Sequence, residues 1–345
     1  MLIWRLIKNP YFLLGFLFLF GLFGSSVVYY FLAGDHIPVI DLLKDKDGNF
    51  LSPPYSPLES PPLGTDNFGH NVFILMLVGA KYTIGAAMAI AFLRVIPAVL
   101  IGLIIHFLLK KIKPILAGIV DASNYFPTTL LAFLLLNWVM ADGPLRNPVD
   151  FLYSFQELVV IYILILVVIS IPSVSLLFSN EIENVMKKEF IDGARVLGAR
   201  EFHFINNHLR PFIVPQIYLV LIREFIATML LISHLGVLGI FIGGVRVEQD
   251  VFDIPNFVSL SHEWSGSLGT WWRFLWTTYP WIAFIPVVFF TLTILAGKMM
   301  LVGLSKELEK SSFSQVTTPN EKTGKGYTRD EELFQMAESR KIEHS

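Results

Sequence analysis

The chain of 345 residues contains no cysteine and carries little charge. Without cysteine it forms neither disulfide bonds nor thiolate metal sites, which excludes a disulfide-stapled secreted module. Only 16% of its residues are charged, whereas about a quarter are charged in an ordinary soluble domain. A nucleic-acid binder needs a dense basic surface and a disordered chain needs a polar composition, so both classes are excluded as well.

The sequence is instead rich in apolar residues. They make up 54% of the chain, and the mean hydropathy is +0.61. A helix needs about 20 apolar residues to cross a hydrocarbon layer of about 30 Å. We therefore predict an all-α membrane protein with six transmembrane helices, at 11–33, 82–109, 114–140, 157–178, 212–233 and 280–304. The apolar, glycine-rich stretch 234–245 is too short to span and predicts a re-entrant or interfacial segment.

The distribution of Lys and Arg predicts the orientation. With both termini in the cytoplasm, the cytoplasmic segments hold 18 basic residues and the outer segments hold 5. We thus expect a multi-pass protein of the cell membrane. Residues 1–33 form the cytoplasmic N-terminus and an uncleaved first span, 34–72 a proline-rich extracytoplasmic loop, 73–305 the main transmembrane domain, and 306–345 a disordered cytoplasmic tail.

The cytoplasmic loop 179–211 is the most informative segment. Residues 181–197 have helical composition, and Gly198 suits a helix C-terminus. Residues 199–207 can begin a second short helix before Pro211, whose missing N–H costs little at a helix start. The physical prediction is a helix–turn–helix elbow, which is either a solvated linker or a contact surface.

The loop has a spaced motif that resembles a known family. Its residues are Glu189, Asp192, Gly193, Ala194, Gly198, His208 and Pro211. The spacing is similar to the EAA loop of importer-type ABC transporter permeases. The positions of Glu189 and His208 are similar to the branch of dipeptide, oligopeptide and nickel permease C subunits. The chain departs from the pattern where Asp192 and Gly193 replace Glu and Ala.

Other segments resemble the same family in the same order along the chain, so the resemblance covers roughly residues 60–305. They are Pro62–Phe73 with Gly79–Lys81, Asp121–Pro127, and Leu235–Gly239 with Glu263–Gly266.

The resemblance implies a type I ABC importer (MetI-like) permease fold with a cytoplasmic coupling helix. Its implied role is to form half of a translocation pathway for peptides or a similar small solute. The implied partners are a homologous second permease, two ABC ATPase subunits and an extracytoplasmic solute-binding protein. ATP and Mg²⁺ would bind the ATPases, so for this chain we expect no catalytic residue, cofactor or metal. The sequence has no phosphate-binding G-x-x-x-x-G-K-[ST] motif.

Two ionisable residues, Arg94 and Glu224, lie inside predicted spans. A charge at membrane depth is costly and usually faces a cavity or a partner. One interpretation places them on the translocation pathway or the seam between subunits. The other is an ion pair between spans that only determines packing.

Two other function classes stay open at this stage. A secondary transporter working alone would usually show an internal repeat. An intramembrane enzyme would need an embedded catalytic set, and its activity would not depend on partners. Dependence on an ATPase distinguishes both from an ABC permease.

Overall fold

The computed structural model describes residues 2–44, 48–140, 153–188, 191, 209–249 and 255–316. These residues are mostly helical. The helices are α1 (Leu2–Lys8), α2 (Pro10–Ala33), α3 (Val72–Phe107), α4 (Lys113–Asn124), α5 (Thr128–Met140), α6 (Phe155–Met186), α7 (Arg210–Val237), α8 (Trp264–Trp271) and α9 (Trp281–Val316). The strands are β1 (Val245–Gln249) and β2 (Pro255–Ser259), and a 3-10 helix covers Trp272–Trp276.

Within the described part of the chain, five helices are long and apolar enough to cross a membrane, namely α2, α3, α6, α7 and α9. They correspond to five of the predicted spans. Side-chain caps explain where several of them begin. Asn9 accepts hydrogen bonds from the backbone at the start of α2, Asn71 does so for α3, and Ser154 forms a capping box with Glu157 at the start of α6.

The predicted third span, 114–140, is not one continuous helix. It consists of α4 and α5, whose axes are bent by 84° at the break between them. Pro127 lies in this break. Proline has no N–H to donate and disfavours helical geometry at the preceding residue, Phe126, so the helix ends there. The structure therefore contains six spans only if this bent pair is counted as one.

Helix α3 lies at the centre of the bundle, in contact with α2, α6, α7 and α8. Its buried residues include Ile84 and Ile90, which pack in one apolar cluster with Tyr162, Leu166 and other residues of the neighbouring helices. We name the two ends of the bundle by their contents. The hairpin end carries 34–71, the strands and α8, and the loop end carries the connection between α6 and α7.

The hairpin end contains structure that the all-α prediction missed. Strands β1 and β2 pair antiparallel, with Val247 opposite Phe257. The stretch 234–245 is not one re-entrant segment, because α7 continues to Val237 and a turn follows. Glycines 239, 243 and 244 have positive φ angles in that turn, a conformation that glycine adopts without strain.

Short helix α8 packs tightly against α7 and α3. A Cβ added at Gly236 would lie 2.3 Å from the carbonyl oxygen of Ser265, so only glycine permits this approach. The buried Trp264 donates its indole N–H to the carbonyl of Met76 at 2.8 Å, and its backbone N–H to Oγ1 of Thr83 at 3.0 Å. These contacts fasten α8 to the core of the bundle.

Apart from Val72, which begins α3, the described residues of the predicted loop 34–72 form no helix or strand element, but they are packed. Isolated bridges join Val39 to His70 and Thr65 to Asn71, and Tyr55 is buried.

At the C-terminal end, the predicted disordered tail begins too early. Helix α9 continues to Val316, in part because Glu307 pairs with Lys310 one turn later. Residues 317–345 lie outside the described residues.

Candidate functional site

The two ends of the predicted coupling loop meet in one apolar cluster. Ile182 and Val185 at the end of α6 pack with Leu209 and Ile213 at the start of α7. Phe107, at the end of α3, packs against the same cluster. The loop therefore leaves and re-enters the bundle at one place, and its base is anchored to three long helices.

Ion pairs reinforce this base. Nζ of Lys113, at the start of α4, lies 2.6 Å from Oε2 of Glu183 near the end of α6. Lys187, one turn later, lies 2.8 Å from the other carboxylate oxygen of Glu183. These pairs are partly exposed, and such pairs contribute little stability. Their effect is to connect the end of α6 to α4.

Most of the predicted coupling residues lie outside the described residues, namely Glu189, Asp192, Gly193, Ala194, Gly198 and His208. The predicted helix–turn–helix elbow lies there too, apart from its first residues at the end of α6. Pro211 is described and occupies the first turn of α7, where its missing N–H leaves no helical hydrogen bond unmade. The role of the motif therefore stays a prediction.

Arg94 and Glu224, the ionisable residues of the predicted spans, form an ion pair. Nη1 of Arg94 lies 3.1 Å from Oε2 of Glu224 and donates to Oγ1 of Thr228 at 3.0 Å. Nε and Nη2 of Arg94 both donate to the carbonyl oxygen of Leu166, at 3.0 Å and 2.7 Å. One guanidinium thus joins α3, α6 and α7 in the middle of the bundle. We refer to Arg94, Leu166, Glu224 and Thr228 as the arginine hub.

The two charges of the hub differ in exposure. The Arg94 side chain is 2% exposed and that of Glu224 is 18% exposed. A buried guanidinium is tolerated only when its donors are satisfied, and those of Arg94 bind acceptors on two other helices. This geometry is that of an ion pair between spans. The Glu224 side chain nevertheless stays partly exposed.

Glu263 is a fully buried acidic residue at the hairpin end. Its carboxylate caps α8 and accepts hydrogen bonds from the backbone N–H groups of Ser265 at 2.6 Å and Gly266 at 2.8 Å. The hydroxyl of Ser265 donates to it at 2.8 Å. Burial raises the pKa of Glu263 to about 7, although these donors and the N–H of Ile242 oppose the rise.

Two histidines, His70 and His262, line a small cavity at the hairpin end, with a volume of about 20 Å³, which is enough for one water molecule. Nδ1 of His70 lies 3.1 Å from Oδ2 of Asp66. Burial lowers the pKa of His70, but the hydrogen bond and charge of Asp66 outweigh it, so the pKa is raised. Burial and the charge of Arg246 lower the pKa of His262 to about 4. The described residues contain no group of three or more potential ligands that could hold a metal ion.

Sequence reasoning found the two charges of the hub but not their partners. Thr228 follows Glu224 by one helical turn, and this spacing places both on one face of α7. The carbonyl of Leu166 has no signal in the sequence, because every residue has a carbonyl. In the sequence Glu263 stands out only as part of a motif, and its burial depends on how α8 packs.

Residues 98–304 match the family of binding-protein-dependent transport system inner membrane components. A protein of Brucella suis biovar 1 that bears the name of a peptide transport system permease is 25% identical over 177 residues. The match covers 51% of this chain and 54% of that protein, so the chain spans about half the length of this relative. A protein of Brucella abortus biovar 1 with the same type of name matches equally well.

A further relative is matched over more of its length. It is the dipeptide transport system permease protein of Alkalihalophilus pseudofirmus, which is 23% identical over 246 residues. The match covers 71% of this chain and 70% of the relative.

Proposed function

Because the chain belongs to the family of binding-protein-dependent transport system inner membrane components, we propose that it is the membrane-embedded permease subunit of an ATP-driven ABC importer. It forms half of the translocation pathway. ATP is hydrolysed by two separate ATPase subunits, and this chain has no catalytic role of its own. The family match over residues 98–304 is the observation that carries this proposal.

The base of the loop between α6 and α7 supports the coupling part of the proposal. A segment that transmits movement must be attached firmly to the helices that it moves. The apolar cluster of Ile182, Val185, Leu209 and Ile213 provides such an attachment, and the Lys113–Glu183 pair extends it to α4. In this proposal the motif residues, from Glu189 to Pro211, contact an ATPase subunit and carry its closure to the bundle.

The proposed solute is a peptide or a similar small molecule. The Brucella relatives are named for peptide transport and the Alkalihalophilus relative for dipeptide transport. An extracytoplasmic binding protein would deliver the solute, and a homologous second permease would complete the pathway. The distribution of basic residues supports a cytoplasmic loop end with both termini inside, and an outer hairpin end.

Reconstitution tests the proposal. The chain is co-expressed with the second permease and the ATPases encoded by neighbouring genes, purified, and placed in liposomes with the binding protein outside. Uptake of a labelled dipeptide or oligopeptide that requires ATP and all partners is the expected result. Uptake by the chain alone would indicate a secondary transporter, and hydrolysis of a membrane substrate without partners would indicate an enzyme. Either outcome would refute the proposal.

A substitution in the loop tests the coupling role separately. Gly198→Trp places a bulky side chain where the motif is predicted to turn. We expect the complex to assemble and hydrolyse ATP while uptake is lost. The matched control is Gly118→Trp, because a Cβ at Gly118 meets nothing within 4 Å. Wild-type uptake by a Gly198→Trp variant that inserts normally would exclude a coupling role for this turn.

A further inference from the structure

Exposed basic and aromatic side chains surround the junction between α1 and α2. Arg5 and Lys8 lie in the last turn of α1. Nζ of Lys8 lies 5.2 Å from the centroid of the Trp4 ring, and Nζ of Lys306 on α9 lies 4.5 Å from the centroid of the Tyr11 ring. All five side chains are exposed. We call Trp4, Arg5, Lys8, Tyr11 and Lys306 the basic–aromatic cluster.

The junction that carries this cluster is held firmly. Asn9 is buried, and its side-chain oxygen accepts from the backbone N–H groups of Tyr11 at 3.1 Å and Phe12 at 3.3 Å. Its amide nitrogen donates to Oε1 of Glu307 at 3.1 Å and to the carbonyl of Gly303 at 3.4 Å. The cations therefore have a defined position beside α9 and do not belong to a loose terminus.

The cluster lies where the apolar part of the bundle ends. Helix α2 has 24 residues without a charged side chain, and at about 1.5 Å per residue it extends for about 36 Å. That length exceeds a hydrocarbon core of about 30 Å by about one helical turn, so Tyr11, in the first turn, lies at its boundary. Tryptophan and tyrosine beside lysine are characteristic of the layer where headgroups meet acyl chains.

The charge of the cluster is positive after its acidic neighbours are counted. Helices α1 and α2 contain no acidic residue. On the facing part of α9, Glu307 is bound by Lys310 at 2.8 Å and by Asn9. Glu309 is the other carboxylate on this part of α9. The cluster itself has three cations, so positive charge is in excess.

We propose that the basic–aromatic cluster binds the headgroups of anionic phospholipids and thereby holds the first span in place on α9. Three cations face a phosphate-bearing surface, while Trp4 and Tyr11 enter the layer below it. The exposed apolar side chains of α2 next to the cluster, such as Leu14 and Leu17, then contact the acyl chains. The inference concerns the lipid surface alone and does not depend on the proposed transport function.

Native mass spectrometry and thermal unfolding of the purified full chain test this proposal. The chain is supplied with phosphatidylglycerol or phosphatidylcholine. Wild type is expected to retain phosphatidylglycerol preferentially and to melt at a higher temperature with it. An Arg5→Gln, Lys8→Gln and Lys306→Gln triple variant is expected to lose about 100-fold in affinity for phosphatidylglycerol, because each cation near an anionic surface contributes about fivefold.

The control is Lys44→Gln at the hairpin end, where Nζ of Lys44 lies 5.0 Å from the centroid of the Phe50 ring. It removes a lysine from an aromatic ring without touching the cluster, and should keep the preference. If the triple variant folds poorly, Lys306→Gln and Lys306→Arg replace it, with loss expected only in the first. Equal retention of both lipids by wild type, or unchanged phosphatidylglycerol binding in the variants, would overturn the proposal. So would equal stabilisation by inorganic phosphate, which would indicate a free-anion site.

Discussion

Replacing Arg94 with methionine separates the two interpretations of the arginine hub. The substitution keeps an unbranched apolar stem, but it shortens the side chain and removes every donor of the guanidinium. Three acceptors then lose their partner, namely the carbonyl of Leu166, the carboxylate of Glu224 and the hydroxyl of Thr228. The Leu166 carbonyl loses two hydrogen bonds.

The expected cost follows from burial. Breaking a buried ion pair by removing one partner costs about 3–5 kcal/mol, because the other charge is left uncompensated. We expect Arg94→Met to lower the free energy of unfolding by an amount in that range. Glu224→Gln should cost less, about 1–3 kcal/mol, because the amide oxygen still accepts from Nη1. The guanidinium, only 2% exposed, nevertheless loses its counter-charge.

The double variant Arg94→Met with Glu224→Leu gives the sharpest outcome. It removes both charges and leaves apolar side chains of similar size between the helices. Replacing a buried ion pair by apolar residues is often neutral, so the double variant should be more stable than Arg94→Met alone. The measurement is the free energy of unfolding of each variant, in one lipid and detergent mixture.

Two results would refute this reasoning. One is a double variant that is less stable than Arg94→Met, and the other is a Glu224→Gln variant that is less stable than Arg94→Met. Uptake by reconstituted Glu224→Gln then decides the pathway question. Unchanged uptake per folded molecule supports a packing pair, whereas reduced uptake per folded molecule places Glu224 on the pathway, through its exposed side.

Three further predictions concern other parts of the fold. Gly236→Ala should lower the free energy of unfolding by about 1–3 kcal/mol, because its Cβ would lie 2.3 Å from the Ser265 carbonyl oxygen. Gly21→Ala is the control, since a Cβ at Gly21 meets nothing within 4 Å. Equal stability of the two variants would contradict the predicted steric conflict. The pKa of Glu263 is raised from 4.5 to about 7, so the native protein favours its protonated form. Thermal stability should therefore fall as the pH rises through this interval. Glu263→Gln should flatten the fall, and an unchanged pH dependence in this variant would refute the assignment of the fall to Glu263. Lys113→Gln should speed hydrogen exchange at the end of α6, because Lys113 binds Glu183 there. Lys111→Gln, which replaces an exposed lysine, is the control. Equal exchange in the two variants would contradict this prediction.

Hydropathy predicts the spans well because each is long and nearly free of charge. It places the start of α3 too late, at residue 82, since Lys81 looks like a boundary. In the structure Lys81 lies inside the helix and pairs with Asp35 at 2.5 Å, and the helix begins at Val72 after the Asn71 cap. A charged residue lowers the hydropathy of a segment whether or not its charge is paired in the fold. The partner of Lys81 is 46 residues away in the chain, so the sequence does not reveal the pair.

The hairpin end could not be derived from the sequence in the same way. Turns, two short strands and a short helix follow one another there within few residues. None of them is long enough for its pattern of apolar residues to show a recognisable period. The tight approach of Gly236 to Ser265 depends on tertiary packing. The pairing of Arg94 with Glu224 joins residues that are 130 positions apart, and only the proximity of α3 and α7 produces it.

Helix α7 connects the features that the proposed function requires. Its first residues close the base of the loop at Leu209 and Ile213. Its middle carries Glu224 of the arginine hub, and its end packs through Gly236 onto α8. The 28 residues of α7 extend for about 42 Å. A displacement of the loop would therefore reach the hairpin end through one hydrogen-bonded helix, with the hub between the two ends. Under the proposed function, a loop substitution should weaken coupling without lowering stability, whereas loosening the hub should lower stability.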